Sequence, residues 1–76
     1  MNVIIRKMKK RDLLHVKNVA ETSWRATYEG IIPIRIQEEF LSKAYNEKML
    51  KKRRRNTNFF VAEVDGKIVG FANYSK

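Results

Sequence analysis

The sequence predicts an α+β domain in which a strand, two helices and an antiparallel β-hairpin follow one another, in the order β-α-α-β-β. Apolar residues alternate near the N-terminus and recur every three to four residues across the middle of the chain. Two β-rich runs then flank an Asp-Gly pair near the C-terminus. These are the periodicities of a strand, of helices and of a tight hairpin. A chain of 76 residues is long enough for one small domain with a thin hydrophobic core.

The alternation predicts a first strand over residues 2–8, followed by a basic turn. Asp12 is expected to cap the first helix, because an aspartate carboxylate can accept hydrogen bonds from the free amides of a first turn. The helix is predicted from about Asp12 to Tyr28, and Gly30 ends it as a C-terminal glycine commonly does. Its apolar stripe consists of Leu13, Val16, Ala20, Trp24 and Thr27.

A second helix is predicted without interruption from about Ile34 to Arg55. Pro33 stands just before it, where a missing backbone N–H costs nothing. Two apolar rows are expected to face the core, one of Ile36, Phe40 and Ala44, the other of Leu41, Tyr45 and Met49.

The hairpin is predicted around Asp65-Gly66, because both residues tolerate the positive φ of a type I′ turn. A regular two-residue turn would pair Val64 with Lys67, Ala62 with Val69 and Phe60 with Phe71. Both faces of this hairpin are largely apolar, so we expect cover on both sides and a further strand beyond Lys76. Its exposed edge also predicts self-association with a second copy of the chain.

The composition limits the kinds of site and partner. There is no cysteine and a single histidine, so a disulfide, a thiolate metal site or a histidine-based zinc site is not expected. The N-terminal apolar run is too short for a signal peptide or a membrane span, so we expect a cytoplasmic protein with no membrane partner.

The formal net charge of +9 favours anionic partners. The run Lys48–Arg55 could bind nucleic acid or an acidic protein surface, or it could be the solvated end of a helix. The stretch from Lys51 to Asn58 contains no aromatic residue for stacking on bases, so nucleic-acid binding is the less expected role.

Three stretches carry a resemblance to a known family. They are IIRKM at residues 4–8 with Asp-Leu at 12–13, SWRATYEGIIP at 23–33, and FVAEVDGKIVGF at 60–71. In this order and at this spacing, the chain resembles the N-terminal half of the GNAT family of acetyl-CoA-dependent N-acetyltransferases. The resemblance implies that residues 1–76 are a partial domain of an enzyme that transfers acetyl to a primary amine.

The resemblance also indicates what the chain lacks. The family binds acetyl-CoA through a fourth strand and the following helix, where a Gln/Arg-x-x-Gly-x-Gly/Ala turn offers backbone amides to the pyrophosphate. Gly30, Gly66 and Gly70 are too dispersed to build that turn. We therefore expect the 76-residue chain to bind no acetyl-CoA and to be inactive alone. The acceptor stays open among polyamines, aminoglycosides, amino acids, peptide N-termini and lysine side chains.

Four residues are implied to lie on the acceptor side, although each could instead serve packing or a polar strand end: Trp24, Tyr28, Phe71 and Asn73. Glu29 and Glu63 are the carboxylates that could act as general bases. Sequence alone shows neither their reach nor their pKa, so the catalytic residues stay unassigned.

Overall fold

The computed structural model describes residues 2–75 and contains one antiparallel sheet, three α-helices and a short 3₁₀ turn at Lys10–Asp12. The elements are β1 (Val3–Lys7), α1 (Leu13–Tyr28), α2 (Ile34–Ala44), α3 (Glu47–Asn56), β2 (Thr57–Val64) and β3 (Lys67–Ser75). The strands lie in the order β1-β2-β3. The predicted α+β class is confirmed, and so are the extent of the first helix and the predicted hairpin.

Helices α1 and α3 pack against one face of the sheet and form a single hydrophobic core with it, while α2 packs on these two helices. Val16 of α1 and Leu50 of α3 are completely buried and meet Phe59 and Val61 of β2. Met8, Leu13 and Ile68 complete this cluster. The core therefore joins the first helix to the hairpin, which are far apart in the sequence.

The predicted continuous helix over residues 34–55 is wrong, because the chain breaks it after Ala44. The Asn46 side chain caps α3 by accepting a hydrogen bond from the Met49 amide at 2.8 Å. The same side chain donates to the Ser42 carbonyl at 2.8 Å, near the end of α2. One asparagine thus satisfies backbone groups on both sides of the break, which compensates for the interrupted helical hydrogen bonds.

The predicted N-cap at Asp12 is also wrong, because its side chain makes no capping bond to α1. It accepts two hydrogen bonds from the Arg6 guanidinium, at 2.7 and 3.1 Å, and one from the Lys9 amide at 2.8 Å. Arg6 also donates to Glu63 across the sheet at 2.9 Å. The bonds from Arg6, and then the Lys9 amide, hold the pKa of Asp12 below its ordinary value.

The hairpin turn is confirmed, with φ of 50° at Asp65 and 78° at Gly66. The predicted register holds only for the first pair, because a β-bulge follows and Ala62 then pairs with Gly70. The predicted pairs Ala62–Val69 and Phe60–Phe71 are therefore wrong. In a regular strand, residues three apart lie on opposite faces, but the bulge lets both Ile68 and Phe71 face the core.

The opposite face of the sheet has no helix over it in the part of the chain described. Val3, Ile5 and Tyr74 are each more than half exposed there. Tyr74 stacks on Phe60, with ring centroids 6.0 Å apart. β3 forms one edge of the sheet, so self-association through that edge stays a prediction. Within residues 2–75, no helix combines the length and hydropathy needed to cross a membrane.

Candidate functional site

The loop between α1 and α2 is held in place from inside the domain. Gly30 adopts a φ of 74°, a conformation that strains other residues. The Tyr28 carbonyl accepts hydrogen bonds from the amides of Ile31 and Ile32, both at 3.0 Å. The buried Gln37 side chain donates through Nε2 to the Ile32 carbonyl at 2.8 Å, and at 3.4 Å to that of Tyr28. The loop therefore has one defined shape.

A cleft of about 590 Å³ opens against this loop. Its wall is largely apolar, and Arg25 and Glu29 provide its charged groups. The cleft is lined by Arg25, Glu29, Gly30, Ile31, Ile32, Pro33, Ile34 and Gln37. A carboxylate beside an apolar wall can hold an organic ammonium group, with the charge paired and the carbon skeleton packed.

A cluster of three aromatic rings stands beside the loop. Trp24 stacks on Phe40 of α2 with ring centroids 4.4 Å apart, and the Tyr28 ring lies 4.7 Å from Trp24. Trp24 and Tyr28 are half-buried, and 45% of Phe40 is exposed. The structure thus brings two of the four predicted site residues together. Phe40 was predicted to face the core, and its spacing within the amphipathic pattern was the one sequence signal for its place in this aromatic cluster.

The other two predicted site residues lie in a different part of the domain. The Phe71 ring stacks on Phe59 at 5.6 Å and meets the edge of Tyr45 at 6.0 Å, so it packs into the core. Asn73 pairs with Phe59 in the sheet and is exposed on β3. The four residues therefore form two groups, one on the helices and one on the sheet.

The two candidate bases have different surroundings. Glu63 accepts hydrogen bonds from Arg6 Nε at 3.3 Å and from a terminal nitrogen at 2.9 Å, so the ion pair occupies it. Glu29 is exposed and lies on the cleft. Two side chains were not assigned to the site from the sequence: Gln37, which binds the loop carbonyls and lines the cleft, and Phe40, which stacks on Trp24. In the part of the chain described, no group of His, Cys, Asp or Glu could hold a metal.

The described residues do not fit the pyrophosphate of acetyl-CoA. Gly30 lies in the α1–α2 loop, Gly66 in the hairpin turn and Gly70 within β3. None of the three stands between a strand and the N-terminus of a helix, where backbone amides could converge on a phosphate. A cofactor turn is therefore not formed by residues 2–75.

Comparison with known proteins finds no match among protein-family models or among curated proteins. Among solved structures, the chain is similar to the PaiA N-acetyltransferase from Thermoplasma acidophilum, crystallised in complex with coenzyme A. The TM-score is 0.93 at 27% sequence identity, over 99% of this chain and 51% of that chain. The chain thus spans about half the length of the protein it matches. The resemblance is confirmed, and the chain has the fold of the N-terminal portion of a GNAT-family N-acetyltransferase.

Proposed function

We propose that this chain provides the acceptor side of an N-acetyltransferase, which transfers acetyl from acetyl-CoA to a primary amine. The observation that carries the proposal is the match to an N-acetyltransferase bound to coenzyme A, over nearly all of this chain. In such a transfer the amine nitrogen bonds to the thioester carbonyl carbon and the carbon–sulfur bond breaks. The nitrogen loses a proton and the thiolate gains one.

The part that this chain plays is to bind and orient the amine. Glu29 lies on the cleft and offers a negative charge to an ammonium group. The Trp24 and Tyr28 rings do not line the cleft but stand beside it, so they would contact the carbon skeleton of a longer amine. Holding the amine in one orientation lowers the entropic part of the barrier.

On the sheet, the proposed acceptor side includes the exposed amide of Asn73. Phe71 lies two residues before it and anchors this part of β3 in the core. The acetyl-CoA site is assigned to the half of such a domain that this chain does not match. We therefore expect calorimetry of the 76-residue chain with acetyl-CoA to show no binding. Tight binding would place the cofactor site within residues 1–76 and overturn that assignment.

Binding of the amine can be followed through Trp24, because it is the single tryptophan and its ring contacts Tyr28 at the end of α1, just before the loop that lines the cleft. We expect di- and polyamines to change its fluorescence saturably, whereas the matching alcohols do not. Glu29→Gln should weaken this binding several-fold. Glu21→Gln is the matched control, because it makes the same exchange on α1 at a residue that does not line the cleft. Equal binding of amines and alcohols would contradict the proposal.

Activity can be tested in a chimera in which this chain replaces the matching half of the Thermoplasma acidophilum enzyme. Thermal unfolding of the chimera in one cooperative transition shows that the two halves have assembled, and coenzyme A binding shows that the retained half is folded. We then expect amine-dependent release of free thiol, with Glu29→Gln raising KM for the amine and leaving kcat nearly unchanged. An assembled chimera that releases no thiol with any primary amine would refute the proposed function.

A further inference from the structure

Two segments far apart in the sequence carry the excess positive charge, and they hold eleven of the 17 Lys and Arg residues. We call the surface that they form the basic surface, and it consists of Lys7, Lys9, Lys10, Arg11, Lys17, Lys48, Lys51, Lys52, Arg53, Arg54 and Arg55. The other six basic residues are balanced by seven of the eight carboxylates. The charge of the chain is therefore a property of this surface.

The fold brings the two segments into one surface. Arg54 of α3 donates through Nε to the Met8 carbonyl at 3.1 Å, which ties the end of α3 to the end of β1. A groove beside this junction is lined by Lys7, Arg54 and Arg55 among others. A second groove places Lys10, Arg11 and Lys17 beside Glu47 and Leu50 of α3. The cations of the N-terminal segment thus adjoin those of α3.

Few of these charges are neutralised within the domain. Two carboxylates adjoin the basic surface: Glu47 pairs with Lys51 at 3.3 Å, and Asp12, next to Arg11, is paired with Arg6 at 2.7 Å. Arg53 lies over the Tyr45 ring, 4.8 Å from its centroid. Six cations of the surface are strongly exposed and form none of the salt bridges found in residues 2–75: Lys7, Lys9, Lys10, Arg11, Lys48 and Lys52.

A solvated helix end explains only half of this surface. The cations of α3 lie toward its C-terminus, where the helix dipole favours positive charge. Lys9, Lys10 and Arg11 lie at the N-terminal end of α1, where the dipole disfavours it. The two groups also repel each other. The helix dipole and the mutual repulsion both disfavour this arrangement of cations. An anionic partner that binds across the two segments would explain it.

We propose that the basic surface binds the phosphate backbone of duplex nucleic acid without sequence preference, a role separate from the proposed acetyl transfer. Regularly spaced phosphates suit a broad surface of separate cations. An acidic protein would need an apolar centre to anchor it, and the grooves offer little beyond the exposed Leu14. Single strands would need exposed aromatic platforms, and the rings beside this surface are Tyr45, half-buried under Arg53, and Phe59, which is buried. Nucleic acid was the less expected partner from the sequence, because a solvated helix end could explain the basic run and Lys51 to Asn58 contains no aromatic residue. The fold adds a second basic segment next to that run.

The test is fluorescence anisotropy of the 76-residue chain with a labelled duplex DNA of mixed sequence. If about five of the eleven cations contact phosphates, log K falls against log salt with a slope of about −4.5. Affinity then drops roughly 500-fold between about 50 and about 200 mM salt. No binding at the lower salt concentration would overturn the proposal.

Matched double variants locate the surface. Lys10→Gln with Arg11→Gln, and Lys48→Gln with Lys52→Gln, should each reduce the slope by about two and weaken binding strongly at low salt. Arg35→Gln with Lys67→Gln removes the same charge elsewhere and should leave the slope unchanged. Circular dichroism checks that each variant folds. An equal effect of the control pair would refute the location of the surface.

Competition separates the duplex from other polyanions. We expect unlabelled duplex to displace the labelled DNA far better than polyglutamate of the same total charge, and better than a single strand of the same length. Equal displacement by polyglutamate would overturn the assignment to nucleic acid. Equal displacement by the single strand would overturn the assignment to a duplex.

Discussion

Substitution of Gln37 tests whether the α1–α2 loop is fixed by a side chain inside the domain. In Gln37→Met, the Ile32 carbonyl loses its short hydrogen bond, which costs about 1–3 kcal/mol for a buried group. The Tyr28 carbonyl keeps two amide donors. The exchange also removes Gln37 Oε1, which is buried without a partner in residues 2–75, and this returns about 1–3 kcal/mol. The two effects nearly cancel, so we expect a net change within about 1 kcal/mol.

Gln37→Glu has almost the same shape but the opposite hydrogen-bonding character. A carboxylate cannot donate to the Ile32 carbonyl, and its charge is buried without a counter-ion. We expect a cost of at least about 3 kcal/mol at neutral pH, most of the stability of so small a domain. Burial raises the pKa of the new carboxyl in the folded state. The loss should therefore vanish below the unfolded pKa of a glutamic acid and grow as the pH rises through the folded pKa.

The assay is thermal unfolding followed by circular dichroism, with the unsubstituted chain measured at each pH so that other titrations cancel. About 1 kcal/mol shifts Tm by roughly 4–8 °C in a domain of this size. Gln37→Met should then stay within about 8 °C of the unsubstituted chain, and Gln37→Glu should fall more than about 12 °C below it at pH 7. A large loss in the methionine variant would refute the cancellation. Full stability of the glutamate variant at pH 7 would refute the inward orientation of Nε2.

Four further predictions concern the rest of the fold. Stability should decrease as the pH falls through the lowered folded pKa of Asp12, and Asp12→Asn should flatten this acid limb while lowering Tm at pH 7 by roughly 5–10 °C. Gly66→Ala should cost about 1 kcal/mol because of its positive φ. Gly70→Ala, at a position with ordinary φ and room for a Cβ, should be neutral or slightly stabilising, and urea titration of both variants measures the two free energies of unfolding. Leu50→Ala should cost about 2–5 kcal/mol, against less than about 0.5 for exposed Leu14→Ala, by chemical denaturation. Light scattering should show mass increasing with concentration if β3 edges pair, and a monomer at high concentration would contradict that.

Local signals predicted the parts of the fold that neighbouring residues determine. Gly30 ends α1, and Asp65-Gly66 forms the turn, because each needs only its own backbone conformation. The break at Asn46 escaped prediction because strong helix formers surround it, and its benefit comes from seating Leu50 in a distant core. The β-bulge at Val69, between the pairs Ala62–Gly70 and Glu63–Ile68, escaped prediction because its benefit also comes from distant packing. The bulge allows Ile68 and Phe71 to pack together in the core, and the alternating pattern of a strand does not show where the helices that cover them lie.

The candidate site was predictable only where it follows an amphipathic pattern. Trp24 and Tyr28 are one turn apart on a helix, so their proximity follows from the sequence. Phe40 also fits the pattern, but which of two rows faces the core depended on how α2 packs. Gln37 is buried on α2, one turn before Leu41. Because its side chain is polar, a search for apolar residues at helical spacing does not identify it as buried. Its burial makes sense only once the loop carbonyls that it binds are in place.

The two proposed binding surfaces lie at opposite ends of α1, which decides whether they can influence each other. Lys17 is the residue of the basic surface on α1, and Glu29 of the cleft follows it by 12 residues, about 18 Å along the helix axis. The Debye length at physiological salt is about 8 Å, so most of the field of eleven cations is screened before it reaches Glu29. A cationic amine can therefore bind at one end of a strongly basic chain. At low salt the attraction of Glu29 for the amine and the repulsion by the distant cations both strengthen, so amine binding should change little while duplex binding strengthens steeply. This difference in salt response distinguishes two independent surfaces from a single one that binds both ligands.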